Sequence, residues 1–246
     1  MELKQLPLFF LAVLFFSCKK QEQPVTRTVE FNATNYVALG TYDTLGKPGN
    51  LLTRETISPT LLTYIKSTLT DKVDLRTTNP GLISTTAIAD VAITQPSDVT
   101  ITFVAQGAGS TSTFAFYTYP TNHPPASTAD IKTITYAFPN SGRNTPLKAG
   151  DRVKIGRFEA GISIGFVILQ NGWDLATHTI NNKVVHFCSN DVLNPEVDPS
   201  LKKHAVVVNY HPGEGKFLIG FEDVNRTFPT CDHDFNDVVV YCTVTP

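Results

Sequence analysis

Near the end of the 246-residue chain, Cys231-Asp-His-Asp-Phe-Asn-Asp237 places three carboxylates and one carboxamide within six residues. Carboxylates packed this closely repel one another unless a cation sits among them or water separates them. Every ligand on offer is a hard oxygen donor, and calcium is the cation that suits such a set. In a regular strand, Asp232, Asp234 and Asn236 would point one way with roughly 6.6 Å between neighbours. Oxygens bound to one calcium lie only about 2.4 Å from the metal. The segment must therefore curl before the apolar run Val238-Val-Val-Tyr241 begins. Asp-x-Asp-x-Asn also opens an EF-hand loop, but position six is Asp237 where glycine is required, and position twelve is Thr243 where glutamate is required. The remaining ligands must come from elsewhere, and Glu222-Asp223, at the end of the preceding strand-like run, is the natural donor pair. The expected metal set is Asp232, Asp234, Asn236, Asp237, Glu222 and Asp223. The competing account is a solvated acidic turn whose carboxylates bond to backbone amides.

A second acidic loop, from Asn190 to Asp198, offers Asp191, Asn194 and Glu196 as secondary metal candidates; an Asn/Asp-rich turn is the simpler account of it. The six histidines show no zinc-site spacing. His204 opens an apolar strand and reads as a hydrogen-bonded core or edge residue, and His233, among acids, reads as solvent-exposed. Trp173 could stack on a sugar, but a lone tryptophan in a β protein belongs more often to the core. Glu222 with Asp223, or Asp232 with Asp234, could act as acid and base across a glycosidic bond. Such pairs need a cleft with two different environments, and these residues lie in a short polar loop. The chain is therefore read as a binding or structural protein and not as an enzyme.

The elements that must position these residues are strands. Alternating or β-branched runs occur at Val91–Ile93, Val99–Val104, Ser112–Tyr119, Lys132–Phe138, Val153–Phe158, Ile162–Gln170, Val184–Phe187, His204–Tyr210, Lys216–Phe221 and Val238–Val244. Within Ser112–Tyr119, Phe114 and Phe116 share one face and Tyr117 and Tyr119 the other. One helix is expected: Ser58 is a good N-cap, Pro59 suits the first position, and Leu61, Leu62, Ile65 and Leu69 share a face. Asn79-Pro80-Gly81 then breaks the chain. Many short strands joined by Gly, Pro and Asn turns argue for an all-β fold, an antiparallel, jelly-roll-like β-sandwich with one short N-terminal helix. A β-rich region with the helix spans 27–130, and a sandwich region spans 131–246; the two could be one continuous domain.

Residues 1–18 read as a processing signal. Lys4 precedes an apolar stretch, Leu6 to Phe16, too short to span a bilayer as a mature helix. It ends in Phe15-Phe16-Ser17-Cys18, which resembles a bacterial lipoprotein signal with Cys18 as the acylated residue; an ordinary secretory signal is the alternative. Residues 19–26 are polar and read as a tether. The expected partner is thus a membrane held through Cys18, and the expected location the cell envelope, as an outer-membrane lipoprotein on either face. A net charge of −2 with no basic stripe argues against nucleic acid. Beyond Cys18, three cysteines remain. Cys231 and Cys242 flank the acidic segment and could form a disulfide, Cys188 competes for either partner, and free thiols are the third possibility.

A series of motifs occurs in order: Leu147-Lys-Ala-Gly150-Asp151 through Phe158, Ala160-Gly-Ile-Ser-Ile-Gly165-Phe166, Asn171-Gly172-Trp173, Leu193-Asn194-Pro195-Glu196, His204 to Val208, Gly220-Phe-Glu-Asp223 and Asp232 to Asp237. Over roughly residues 135–246 this series resembles the bacterial domain of unknown function numbered 4114, found in secreted and lipid-anchored proteins. The resemblance implies a β domain with an acidic terminal motif and no particular activity. Some members have a glycine-rich turn where this chain reads Asn140-Ser-Gly-Arg-Asn144. Residues 27–130 resemble the N-terminal part of lipoproteins carrying the domain. Together these readings point to a lipid-anchored module with a calcium-tied C-terminal loop, serving adhesion, attachment or capture of a glycan or surface protein. The rival from another class is a calcium-dependent carbohydrate-active enzyme.

Overall fold

The structure, a computed structural model, describes residues 27–211 and 215–246. The signal at 1–18, the tether at 19–26 and Cys18 lie outside the described residues. In chain order the elements are β1 (Asn35–Ala38), α1 (Pro59–Thr68), α2 (Leu75–Thr78), β2 (Val91–Ile93), β3 (Ser97–Ala105), β4 (Thr113–Pro120), β5 (Thr133–Phe138), β6 (Arg152–Phe158), β7 (Ile162–Leu169), β8 (Trp173–Asp174), β9 (Thr179–Ile180), β10 (His186–Cys188), β11 (Ala205–His211), β12 (Lys216–Phe221) and β13 (Val238–Thr245).

One sheet has the order β1-β5-β4-β7-β10, with β2 also pairing β7, and the other has the order β11-β12-β13-β3-β6. A β8–β9 hairpin stands apart. The fold is an all-β sandwich, as the strand pattern predicts. Among the described residues every strand pairing is antiparallel except one: β1 runs parallel to β5 along the edge of its sheet. Strands from 27–130 and from 131–246 interleave in both sheets, so no boundary at residue 130 divides the core.

Period-two alternation sorts the side chains into layers. Between the sheets lie Val99, Ile101 and Phe103 of β3, Phe114 and Phe116 of β4, Phe166 and Ile168 of β7, and Val238, Val240 and Cys242 of β13. The opposite face of β13 carries Val239 and Tyr241, which pack with Val104, Val206 and Leu218 beneath Leu61, Ile65 and Leu69 of α1. From Val238 to Cys242 the Val-rich β13 is buried on both faces, which suits its run of large, mostly apolar side chains. Tyr117, Tyr136, Val167 and Leu169 form a third layer on the outer face of the other sheet.

Helix α1 begins as its sequence dictates, with Ser58 Oγ accepting from Leu61 N at 3.1 Å and Pro59 opening the first turn. A second helical turn, α2, was not evident in the sequence. Asp74 caps it, accepting from Arg76 N at 2.8 Å, and four residues are too few for a helical periodicity to register. Among the described residues no helix is long and apolar enough to cross a membrane.

A candidate metal centre at the carboxylate loop

Strand register builds one side of the site. β12 and β13 pair from Lys216↔Thr243 to Phe221↔Val238, so residues 222–237 form one long connection whose two ends are neighbours. Asp237 N donates to Phe221 O at 3.0 Å, and Asp223 N donates to Asp237 Oδ2 at 2.7 Å. Glu222 and Asp223 are thereby held against Asp237 without any side chain having to seek the other. Gly220 lets the loop come this close: a Cβ there would collide with Phe235 O and Leu69 Cδ1.

The rest of the loop curls as the geometry of the acids demands. His233 (φ 60°) and Phe235 (φ 58°) both take the left-handed conformation, uncommon for any residue but glycine and costing on the order of 1–3 kcal/mol each. Packing holds them there. Phe235 is buried among Leu75, Val206 and Val239 beneath α1, and the Arg226 guanidinium stacks 5.1 Å above its ring. His233 Nδ1 accepts from Arg226 Nε at 3.2 Å, which fixes the proton of the neutral ring on Nε2. Burial, with Arg226 and Arg76 nearby, pulls His233 down to about 4. The expectation of an exposed His233 is therefore corrected. The curl buries Cys231, His233, Asp234 and Phe235 and leaves Asp232 exposed.

Glu222, Asp232 and Asp234 converge: each offers one carboxylate oxygen, and the three oxygens lie within 4.8 Å of one another. Two oxygens bound to one calcium at about 2.4 Å can be at most about 4.8 Å apart. Glu222 and Asp234 are buried and Asp232 is exposed, so the cluster opens to solvent on one side. Asp234 is held by donors from the turn between α1 and α2 and from its own turn: Lys72 N to Oδ2 at 2.7 Å, Asn236 N to Oδ1 at 3.0 Å and Asn236 Nδ2 to Oδ2 at 2.8 Å. Glu222 Oε2, by contrast, is buried with no donor in hydrogen-bonding geometry.

The electrostatics follow from this shortage of positive charge. Burial, reinforced by Asp232 and Asp234, raises Glu222 to about 7. Burial, with Asp223 and Glu222 beside it, raises Asp237 to about 10. Burial also raises Asp223 and Asp234. The carboxylates can be relieved in two ways, by taking up protons or by sharing a cation.

Of the six residues expected to bind metal, three meet at one point. Asp237 borders them, hydrogen-bonded to Asp223 N. Asp223 turns the other way and accepts from Ser112 Oγ at 2.7 Å. Asn236 uses its carboxamide as a donor to Asp234, which makes it a positioning residue. Asp191, Asn194 and Glu196 stand outside the cluster. Lys203 Nζ lies 3.3 Å from Asp191. Asn194 bonds Cys188 N at 2.7 Å, Cys188 O at 2.8 Å and Lys202 O at 2.7 Å, closing its own loop. Glu196 Oε1 meets His204 Nε2 at 2.9 Å and accepts from Arg226 N at 3.3 Å. His204 Nδ1 in turn donates to Glu222 O at 2.9 Å, so Glu196 supports the site from behind. His204 is thus the hydrogen-bonded core residue its position suggests.

The possible Cys231–Cys242 disulfide is not formed: Cys188, Cys231 and Cys242 are all free and buried. Cys242 lies between the sheets, four residues up β13 from Val238. That is about 13 Å of strand from the loop, beyond the roughly 4.4–6.8 Å between Cα atoms that a disulfide spans. Cys231 instead places Sγ 3.2 Å from His233 Nδ1, and burial with the charge of Glu222 keeps its thiol protonated. Trp173 is fully buried, edge-on to Tyr42 at 5.7 Å, and offers no surface to a sugar.

Two patterns in the chain mimic hydrolase motifs. Gly161-Ile-Ser163-Ile-Gly165 runs inside β7, where Ser163 Oγ pairs with Thr121 Oγ1 at 2.9 Å; a nucleophile elbow requires a strand-to-helix turn. Ser200 and Lys203 have a Ser-x-x-Lys spacing, but Ser200 Oγ donates to Asp198 at 2.8 Å and Lys203 faces Asp191.

Residues 158–245 match the family described as a domain of unknown function, DUF4114. The match runs from the end of β6 through β13, and includes all of the carboxylate loop and its supporting Glu196 and His204. It begins later than the motif series suggests, since residues 135–157 fall outside it. No curated protein and no solved structure matches the chain.

Proposed function

We propose that this chain is a lipid-anchored cell-envelope protein whose sandwich serves as a binding or attachment module, and that calcium closes its C-terminal loop. The observation that carries the calcium reading is the convergence of Glu222, Asp232 and Asp234 within 4.8 Å, with Glu222 Oε2 buried and undonated. The three carboxylates supply part of the six to eight oxygens calcium takes, and the exposed side at Asp232 admits water for the rest. Zinc sites are built chiefly on nitrogen or thiolate donors; here His233 Nδ1 accepts from Arg226 and the Cys231 thiol stays protonated. An exported protein would meet calcium at concentrations that fill even a site of about 10⁻⁴–10⁻³ M. The anchor at Cys18 and the envelope location rest on the signal-like residues 1–18.

Calorimetric titration of calcium into the mature protein tests the site. Saturable binding of one ion is expected, abolished by Glu222→Gln and weakened at least tenfold by Asp232→Asn. Heat that is unchanged in both variants would remove the metal. A second reading, a carbohydrate-active enzyme, draws on one observation: a carboxyl raised to about 7 beside other carboxylates is what a general acid requires. A hydrolysis screen against glycans decides it, since turnover abolished by Glu222→Gln in a folded variant would replace the binding role with catalysis.

A further inference from the structure

The third layer, on the outer face of the β1-β5-β4-β7-β10 sheet, leaves a groove that the carboxylate loop does not use. One lobe, of about 420 Å³, lies between the chain around Phe31 and the side chains of Tyr36, Asn182 and His186. A second lobe, also about 420 Å³, shares Val29, Glu30, Lys183, Val184 and His186 with the first and extends to Gln170, Asn225 and Phe228. Each lobe is of ligand-binding size, and the two adjoin across the residues they share. We propose that this cleft binds a strand of neutral polysaccharide.

Aromatic surface stands at both ends. Phe228 is 44 % exposed, and it is the one aromatic among the large exposed apolar side chains of the described residues. Tyr36, half-buried, is backed by Tyr136 at 5.8 Å and tilted against His186. Rings presented this way offer flat apolar faces to the C–H face of a sugar, with a polar edge alongside.

The polar groups fit hydroxyls and not charges. His186 Nδ1 donates to Val184 O at 2.8 Å, so the neutral ring accepts the Tyr36 hydroxyl proton at Nε2 at 2.9 Å. The Tyr36 oxygen then faces the cleft as an acceptor. Burial holds His186 down at about 4, in keeping with the neutral ring. Asn182 and Gln170 add carboxamides, each both donor and acceptor. Arg27 donates to the carbonyls of Val192 and Asn194 and Glu30 accepts from Asn32; with Lys183 the lining carries one net positive charge. A charged polymer would find no row of counter-charges there. The proposal names a ligand class for the binding role put forward above, but needs no cation.

Affinity electrophoresis of the mature protein through gels containing a neutral polysaccharide (galactomannan, xyloglucan or a mixed-linkage glucan) or polygalacturonate tests it. Retardation by at least one neutral polymer and none by polygalacturonate is expected. Phe228→Ala should weaken retention about tenfold at unchanged melting temperature, the size of one lost aromatic contact, and Tyr36→Phe should weaken it severalfold. Retention by the anionic polymer alone, no retention by any neutral polymer, or retention indifferent to Phe228→Ala would overturn the assignment. So would sedimentation as a dimer that Phe228→Ala dissolves, since a second copy would then fill the cleft. The gels are run with calcium and with chelator; Phe228-dependent retention in either supports the cleft, so it stands or falls apart from the metal.

Discussion

The loops at 190–198 and 222–237 are made of the same residue types, yet their carboxylates respond to folding in opposite directions. In the first, burial pushes Glu196 up, but His204 and the Arg226 amide outweigh it and hold the carboxyl below its usual range. Ser200 lowers Asp198 through its hydroxyl and its amide, and Asp191 faces Lys203. In the second, burial and neighbouring carboxylates raise Glu222, Asp223, Asp234 and Asp237 together. Arg226, inside that loop, donates to His233, Lys203 O and Ser200 O, and its Nη2 is buried without a hydrogen-bond partner. In the first, the closed loop, His204 and Lys203 stand opposite the acids, whereas in the second, the open loop, the acids outnumber Arg226, the one cation in its sequence. Glu196 Oε2 and Glu222 Oε2 are both buried without a donor, so the charge opposite the carboxylates is what separates the two loops.

The largest effect should come from taking the closed loop's partner away. His204→Ala leaves the Glu196 carboxylate buried with only the Arg226 amide, and losing one member of a buried pair costs about 3–5 kcal/mol. At about 2–4 °C per kcal/mol for a chain of this size, thermal melting should fall by roughly 6–20 °C. His204→Gln, which keeps a donor, should recover part of it. A His204→Ala protein that melts with the wild type would show that the closed loop is no better satisfied than the open one.

Next in size is the cation. At a free calcium concentration about a hundred times Kd, an ion that binds only the folded chain contributes about 2.7 kcal/mol, or roughly 5–10 °C. Chelator should remove that increment from the wild type. Glu222→Gln should lose the increment and melt higher than the wild type in chelator, because it deletes a charge that burial penalises. Loss of the increment in the Glu196 loop's variants instead would invert the comparison.

The pH dependence sharpens the contrast further. In chelator, Glu222 and Asp237 bind protons more tightly when folded, at about 7 and about 10, than when unfolded. The folded state therefore holds more protons across this window, and stability falls as pH rises. The contribution is fully present below the ordinary glutamate range near 4.5 and is lost as pH climbs through 7 toward 10. Melting in chelator should drop by about 1–3 kcal/mol between pH 5 and pH 8. Calcium binds the ionised carboxylates, so its increment should grow over the same range. A chelated protein that gains stability toward pH 8 would mean that the four acids do not share a buried field.

Much of this was legible in the chain. The strands announce themselves through alternation, Phe114 and Phe116 against Tyr117 and Tyr119 being the clearest case, and Ser58-Pro59 marks α1 because capping chemistry is local. The curl of the acid loop was expected from the crowding of its carboxylates, and the approach of Glu222 to Asp232 and Asp234 from the strand end before them. What stayed hidden depended on contacts far apart in sequence. Lys72 N on Asp234 joins residues 162 positions apart, and Ser112 on Asp223 joins residues 111 apart; no local pattern encodes either. Cys231, His233 and Phe235, all buried, are spaced by two. The density of charge around His233 masked that signal. The parallel β1–β5 pair was invisible because strand direction is set by topology and not by composition.

The smallest effect belongs to the rim of the closed loop, and it fixes the scale for the rest. Asp191 lies partly exposed, 3.3 Å from Nζ of the buried Lys203; Lys203 also acts on Asp90, so losing the Asp191 end should cost about 1 kcal/mol, the upper end for pairs open to solvent. Asp191→Asn should shift melting by no more than about 2–4 °C, with or without calcium. Because Asp191 sits outside the Glu222–Asp232–Asp234 cluster, its variant should titrate calcium like the wild type. If Asp191→Asn instead weakened calcium binding tenfold, the two loops would be one site, and the division between the closed loop and the open one would have to be redrawn around both.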